Sequence, residues 1–431
     1  MKKTIAASDM GAGADNVRIQ RGAIIAAALG NSFEWYDFTV YALFSIYLAE
    51  AFFPGGGSTL ELVKALLAFG LGFVARPLGA LVLGLYGDRA GRKAVLTAAL
   101  SIMFAGTAIL ALAPTYAAIG VGAPLLILVG RTLQGFSAGG EFGGAAAFLS
   151  EHGPPARRGQ TAAWLQASMG LSNIMGAAVA FVTAALFTHA QITRFAWRIP
   201  FLFGLLIALA GLWMRRTLQD SPEFSRATAD MAGRRRPLGD LAVLFGRHWP
   251  GLARAAGLST LLTVASYVLV IFMPVYVQRT FHFSARQAFA AALIGNVLLA
   301  GACLGSGALS DRFGRRVVLL SATVALGVCG YPLLWLLQAS PTLPTLVLVQ
   351  SLFCVATGAF AGPAPAALAE CFPPQSRSVG VSLSYNLAVT IFSGFAPAAL
   401  TWIAANGGGA LTPAWYLTFA AMLAALAVQA G

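Results

Sequence analysis

The sequence predicts an all-α, polytopic membrane protein in which about twelve transmembrane helices form two similar bundles of six. Apolar residues make up 58% of the 431-residue chain and charged residues only 10%, which leaves too little polar surface for a soluble protein of this size. Apolar segments of about 20 residues, each long enough to cross ~30 Å of hydrocarbon, recur along the whole chain. Two unlike motifs also repeat at nearly the same offset, which indicates a duplicated unit.

Twelve apolar segments can be placed as predicted spans 1 to 12. Their approximate ranges are 22–50, 60–86, 93–113, 122–149, 160–187, 197–215, 252–278, 286–309, 317–338, 343–369, 378–404 and 412–430. A polar tail, residues 1–21, precedes the first span. A basic linker, 216–251, separates an N-terminal six-helix bundle, 22–215, from a C-terminal six-helix bundle, 252–431.

The distribution of basic residues predicts the orientation. If both termini face the cytoplasm, 21 of the 28 Lys and Arg residues lie on the cytoplasmic side and five on the other side. This asymmetry follows the positive-inside rule for a bacterial-type inner (plasma) membrane. The formal charge of +13 is therefore explained by topology, and we expect no nucleic-acid partner.

The duplicated motifs follow spans 2 and 8 and spans 4 and 10. GLYGDRAGRK at 84–93 recurs as GALSDRFGRR at 307–316, and EHGPPARR at 151–158 recurs as ECFPPQSR at 370–377. An Asp at such a junction can bond a helix N-terminus or an Arg across the two halves and hold one conformation; the alternative is a basic loop that only sets topology. We predict a cytoplasmic gate formed by Gly84, Asp88, Arg89, Gly91, Arg92, Glu151, Arg158, Gly307, Asp311, Arg312, Gly314, Arg315, Glu370 and Arg377.

Other classes of chemistry find no support in the sequence. The four cysteines and four histidines show no metal-ligand spacing, and no nucleophile–base motif or nucleotide-binding loop occurs. We therefore expect neither an enzyme nor a metal or cofactor site. A proton gradient is the expected energy source.

Three acids lie deep within predicted spans, and a charge inside a bilayer usually marks a pathway or a proton relay. Asn31, Glu34 and Asp37 follow one another at i+3, so they share a face of span 1 that must point into the bundle. We predict proton coupling at Asp37 or Glu34, with Asp37 first. The alternative is a fixed ion pair between Asp37 and an arginine. Glu141, among closely spaced glycines, is either a second protonation site or a packing contact.

Two arginines also lie within predicted spans. Arg131 starts a polar face of span 4 that continues with Gln134, and its planar fork of donors suits a carboxylate. We predict that Arg131 anchors an anionic substrate; the alternative is an internal salt bridge to span 1. Arg76 precedes Pro77, so it either contacts substrate or bonds carbonyl groups freed by the proline.

The duplicated GDRAGRK and SDRFGRR segments resemble the major facilitator superfamily. Further stretches resemble its metabolite–proton symporter family: GNSFEWYDF (30–38), FVARPLGALVLG (73–84), GRTLQGFSAGGEFGG (130–144), WRIPF (197–201) and FPPQSRSVGVSLSYN (372–386). The resemblance implies two six-helix bundles that rock about a central site. It also implies cavity-lining roles for Gln166, Tyr267, Tyr385 and Asn386, for which interhelical hydrogen bonding is the alternative.

The resemblance and the buried arginines together predict a secondary active transporter. We expect proton-coupled symport of an organic carboxylate, citrate or a related tri- or dicarboxylate, by a monomer embedded in the lipid bilayer. The alternatives are symport of a zwitterionic osmolyte such as proline or betaine, or of another organic acid such as α-ketoglutarate or shikimate. The direction of flux, import or export, stays open.

Overall fold

The computed structural model describes residues 32, 35–90, 92–139, 141–152, 154–217, 246, 248–374 and 376–430. These residues form helices with short connections, and no strand occurs among them. The helical segments that correspond in order to the predicted spans are named α1 to α12, and six of them consist of consecutive pieces.

The first six segments are α1 (35–43 and Ser45–Phe52), α2 (Ser58–Val74 and Arg76–Ala90), α3 (Arg92–Leu112), α4 (Gly122–Ala138 and Glu141–His152), α5 (Arg158–Leu186) and α6 (Arg198–Thr217). The other six are α7 (Trp249–Val264, Ala265–Phe272 and Met273–Thr280), α8 (Ala285–Phe313), α9 (Arg315–Ala339), α10 (Leu343–Ala361 and Ala364–Glu370), α11 (Arg377–Ala388, Val389–Ser393, Ala396–Ile403 and Ala404–Gly408) and α12 (Thr412–Gln429).

The helices confirm the predicted fold class. Within the described ranges, eight helical segments are by themselves long and apolar enough to cross a membrane, and α6 becomes a ninth when joined to the bent stretch His189–Ala196 before it. α1, α3 and α4 complete the twelve. The predicted tail lies outside the described residues, and so does the part of the predicted linker at 218–245. In the structure α6 ends at Thr217 and α7 begins at Trp249.

Burial distinguishes α7 from its neighbours. In its most apolar stretch 94% of the residues are buried, compared with 33–50% in the other seven qualifying helices. A helix that is apolar all round belongs inside a bundle, whereas a helix with one buried face lies at its periphery. α7 therefore runs through the centre of the molecule. The most extensive contact between the two halves joins α5 to α8.

Glycines bring α4 against α2. A Cβ on Gly135 would collide with the carbonyl of Gly72, and a Cβ on Gly139 would collide with the carbonyl of Arg76. Such small residues allow helix backbones in a membrane to approach closely. The approach places Arg131 of α4 beside α2, so these glycines position the charged centre.

We expect Gly135→Ala to destabilise the protein, because the added methyl group has no space and overpacking typically costs about 1–3 kcal/mol. Gly144→Ala on the same helix is the matched control, since nothing lies within 4 Å of its Cβ position. The melting temperatures of both variants are measured by thermal unfolding of the purified proteins in detergent. Equal melting temperatures for the two variants would contradict the packing role.

Candidate functional site

Asp37 of α1 lies at the centre of a hydrogen-bonded network contributed by three helices. Thr107 of α3 donates a short hydrogen bond to Asp37 Oδ2. The Gln134 amide on α4 donates to Thr107 Oγ1 at 3.0 Å and to Asp37 Oδ2 at 3.4 Å. Asp37 Oδ1, in contrast, is buried without a hydrogen-bond partner. The two oxygens of this carboxylate therefore differ, and Oδ1 is the one without a donor.

Arg131 joins the network through Gln134. Its Nη1 donates to Gln134 Oε1 at 2.7 Å. No ion pair within 4.0 Å joins Asp37 to Arg131 or to Arg76 among the described side chains, so the fixed ion pair considered from sequence does not form directly in this structure. Gln134 stands between the acid and the cation and contacts both.

Aromatic rings surround both guanidinium groups. The Arg131 guanidinium carbon lies 4.6 Å from the ring centres of Phe38 and Tyr41. The Arg76 guanidinium carbon lies 4.7 Å from the same Phe38 ring and 4.6 Å from Phe73. Trp35 and Phe69 complete the enclosure at 5.0 Å. Cation–π attraction of up to ~2 kcal/mol per desolvated contact partly offsets the cost of burying these charges.

One edge of each guanidinium lacks a partner. Nε and Nη2 of Arg76 are buried and form no hydrogen bond with any residue that the structure describes, and the same is true of Nε and Nη2 of Arg131. These two nitrogens form the fork that donates two parallel bonds to one carboxylate. A buried donor without a partner is costly, so both arginines are suited to receive an anion. For Arg76, the structure shows the rings as its contacts and no hydrogen bond to carbonyls near Pro77.

Tyr267 and Tyr385 extend this centre towards the second half of the chain. The Tyr267 ring on α7 lies 5.1 Å from Phe73 and 6.1 Å from Trp35. Both tyrosines interact electrostatically with Arg76. The Tyr267 hydroxyl is buried and lacks a partner with acceptable hydrogen-bond geometry. The structure thus places both tyrosines near Arg76, and their cavity-lining role stays a prediction.

Of the remaining predicted site residues, the structure describes the side chains of Asn386 and Gln166 but not those of Asn31, Glu34 and Glu141. Asn386 donates to the carbonyl of Gly139 at 2.9 Å and so links α11 to α4, which is the interhelical alternative considered from sequence. Gln166 is buried on α5. Asn31 and Glu34 lie outside the described residues, and Glu141 is placed only as the first residue of a helical piece of α4.

Three of the four motif segments, 151–158, 307–316 and 370–377, lie together at one end of the molecule, called the motif end below. Asp311 accepts hydrogen bonds from the backbone N–H groups of Gly159 and Gln160 at 2.7 and 2.8 Å, at the N-terminus of α5. A carboxylate there complements the helix dipole. Gly159 and Gly307 are also in close contact. The acid of one half therefore bonds the helix end of the other half.

Most of the other motif residues with described side chains belong to the second half of the chain. Arg315 forms an ion pair with Glu370, and Arg377 donates to the carbonyl of Ala369 at 2.8 Å. Gly314 separates α8 from α9 with φ of +87°, a backbone conformation that favours glycine. Arg158 is exposed at the start of α5. The guanidinium carbon of Arg312 lies 5.3 Å from the centre of the Phe313 ring.

In the first copy of the motif, Gly91 lies outside the described residues. Gly84, Asp88, Arg89, Arg92 and Glu151 are placed only as helical positions.

Sequence reasoning missed Thr107 and the aromatic enclosure. Thr107 is one of many Ser and Thr residues in apolar helices, and nothing in its spacing distinguishes it. Phe69 and Phe73 are four residues apart on α2, a spacing equally typical of packing. Only their arrangement around two cations identifies them as part of the site.

Comparison with known proteins identifies the family. The family model described as "Sugar (and other) transporter" matches residues 23–241, and the "Major Facilitator Superfamily" model matches residues 299–430. A citrate–proton symporter of Klebsiella pneumoniae is 35% identical over 406 residues, which are 94% of this chain and 90% of the relative. A proline/betaine transporter of Escherichia coli K12 is 32% identical over 412 residues, 94% of this chain and 81% of the relative.

The fold agrees with this assignment. The partially occluded, inward-open structure of the E. coli xylose transporter XylE superposes with a TM-score of 0.74 over 94% of this chain and 95% of that chain, at 18% identity. Members of the family are transporters rather than enzymes. The sequence relatives, the family models and the twelve-helix fold together show that this chain belongs to the major facilitator superfamily of membrane transporters.

Proposed function

We propose that the protein is a proton-coupled symporter of an organic carboxylate, with citrate as the first candidate, that works by alternating access. The observation that carries the proposal is the pair of buried guanidinium edges of Arg76 and Arg131 beside the Asp37 carboxylate. The citrate–proton symporter of K. pneumoniae among the relatives supports the same cargo.

Charge and donor geometry favour an anionic cargo. Of the described side chains at the centre, two are cations and one is an acid, so an anion there would reduce the net charge. Each free fork matches one carboxylate, and two forks suit a di- or tricarboxylate better than a monocarboxylate. Asn31, Gln134, Gln166, Tyr267, Tyr385 and Asn386 are the proposed supporting contacts for its other oxygen atoms.

A zwitterionic osmolyte is the second candidate, because a proline/betaine transporter is also a close relative. Recognition of a quaternary ammonium group normally uses the open faces of aromatic rings. Here Phe38, Phe73 and Tyr41 are already in contact with the chain's own guanidinium groups. A cationic head group would meet these arginines, so the geometry favours the carboxylate.

Coupling follows from the link between Arg131 and Asp37. An anion on the Arg131 fork cancels much of the positive field that this cation exerts at Asp37, and a proton on Asp37 Oδ1 then restores neutrality. By linkage, each ligand favours binding of the other. Gln134 is the shared element, since it accepts from Arg131 and donates to Asp37. Glu34 and Glu141 are the further proposed proton sites.

Alternation requires that one end of the pathway can close while the other opens. We propose that the motif end faces the cytoplasm, as the distribution of basic residues predicts, and that the Asp311 contact with α5 holds it closed. The functional unit is one chain in the plasma membrane, with both termini cytoplasmic and the proton gradient as the energy source.

We expect Asp37→Asn to abolish citrate accumulation driven by an inward proton gradient in proteoliposomes, because the amide cannot carry the proton. Citrate exchange at equal pH should survive. Glu61→Gln, the same change at a half-buried carboxylate on α2 outside the charged centre, is the control and should transport normally. Gradient-driven accumulation by Asp37→Asn would rule out this acid as the coupling site. Uptake of betaine but not citrate by the unmodified protein would favour the second candidate.

We expect Arg131→Lys to raise the half-saturating citrate concentration at least tenfold, because lysine keeps the charge but loses the fork. Arg76→Lys should behave similarly. Arg194→Lys, at an exposed position, is the matched control. The measurement is initial uptake against citrate concentration. Unchanged half-saturation in both central variants would exclude direct carboxylate binding by these arginines.

We expect Asp311→Asn to open the motif end more often, since it removes a helix-terminus interaction worth about 1 kcal/mol. Ala163 is buried against Gly307, so a cysteine at that position reports on opening. In an Ala163→Cys background, we expect Asp311→Asn to make maleimide labelling of this cysteine roughly fivefold faster than it is without Asp311→Asn, as measured by mass spectrometry. Glu61→Gln in the same background should leave the labelling rate unchanged. An unchanged rate in Asp311→Asn would show that this contact does not hold the end closed.

A further inference from the structure

A second polar cavity lies apart from the charged centre. It has a volume of about 420 Å³, is partly open and is lined by residues from both halves of the chain. α1 contributes Glu50 and Tyr47, the stretch before α6 contributes His189, the end of α7 contributes Arg279 and the start of α8 contributes Arg286. It is called the vestibule below.

Arg279, which lines the vestibule, has an unpaired guanidinium edge. Nε and Nη2 of Arg279 are buried and form no hydrogen bond with any described residue. They form the same carboxylate-matching fork that is free on Arg76 and Arg131. Arg286 is the second residue of α8; it is exposed, lines the cavity, and its guanidinium carbon lies 5.9 Å from the Phe181 ring. The wall contributed by the second half is therefore cationic.

The acid in the opposite wall is already engaged. Both Glu50 oxygens contact His189 Nε2, at 3.1 and 2.9 Å, and Thr193 donates to one of them at 2.9 Å. Glu50 is thus held by residues of the stretch before α6 and does not pair with Arg279. With His189 neutral, the ionised side chains that line the vestibule carry a net charge of +1.

Along α1, an aromatic contact lies between the residues of the vestibule and those of the charged centre. Phe44 lies on α1 between Tyr41, which contacts Arg131, and Tyr47, which lines the vestibule. Its ring stacks on Phe289 of α8 at 6.0 Å. A carboxylate in the vestibule would therefore be held by donors other than those of the charged centre.

We propose that the vestibule is a second binding site, which takes an organic di- or tricarboxylate on the Arg279 fork with Arg286 as the partner of another carboxylate. The identification of the ligand as the cargo rests on the proposed function. In the proposed orientation the vestibule is on the outer side of the membrane. Substrate bound there lies between the two halves, next to the pathway. It is held in this position until the rings of Phe44 and Phe289 move apart.

Equilibrium binding of radiolabelled citrate to the purified full chain in lipid nanodiscs tests the site. We expect two citrate molecules per chain for the unmodified protein, one for Arg279→Gln, one for Arg131→Gln and none for the double variant. Arg194→Gln makes the same change at an exposed position outside the vestibule, and it should still bind two. In proteoliposomes, Arg279→Gln should raise the half-saturating citrate concentration about tenfold with the maximal rate unchanged.

The outcomes separate the two proposals. Identical citrate binding by Arg279→Gln and Arg194→Gln would overturn the vestibule site, whatever the transport result. Binding that depends on Arg279, without binding that depends on Arg131 and without uptake, would support the vestibule and overturn the proposed function. If Arg279→Gln does not fold, Arg286→Gln at an exposed position provides the second variant. It should weaken vestibule binding about fivefold, and unchanged binding would also overturn the site.

Discussion

The burial of two arginines in a membrane-embedded centre is the constraint on which the rest of this structure depends. A buried cation needs compensation, and no described carboxylate pairs directly with Arg76 or Arg131. Aromatic faces and one shared amide provide part of it. Two guanidinium edges remain without a partner among the described residues, and these unpaired donors are the basis for proposing a binding site rather than a structural ion pair.

The packing of the first half follows from that constraint. Glycines on α4 bring its backbone against α2, so that both arginines reach the same Phe38 ring. α7, the most deeply buried helix, adds Tyr267 from the other half. Because the enclosure is built from both halves, a rocking motion that separates them would also change the environment of both cations. This gives a physical route from domain motion to substrate release.

The two ends of the pathway use different chemistry. At the motif end, a carboxylate bonds backbone N–H groups of the opposite half, a contact that is specific in direction and short in range. At the other end, an aromatic pair separates the centre from a polar vestibule with free donors. Charge–dipole contacts resist opening until they are broken, whereas an aromatic pair can slide apart with less loss of hydrogen bonding. Closure and entry therefore have different physical costs.

The sequence by itself determined the membrane class, the duplicated six-helix plan, the family and the identity of Asp37, Arg76 and Arg131 as exceptional residues. These follow from hydropathy, repeat spacing and the high cost of charge in a bilayer, all of which depend on residue type and local position. The role of the repeated Asp was also accessible, because its chemistry suits a helix N-terminus.

Only the tertiary structure decided that Gln134 separates Asp37 from Arg131, that Thr107 completes their network and that aromatic rings enclose both cations. These are contacts between residues tens of positions apart, and no local spacing encodes them. The vestibule likewise joins segments from both halves, so Arg279, which sequence places simply at a helix end, acquires significance only through what surrounds it.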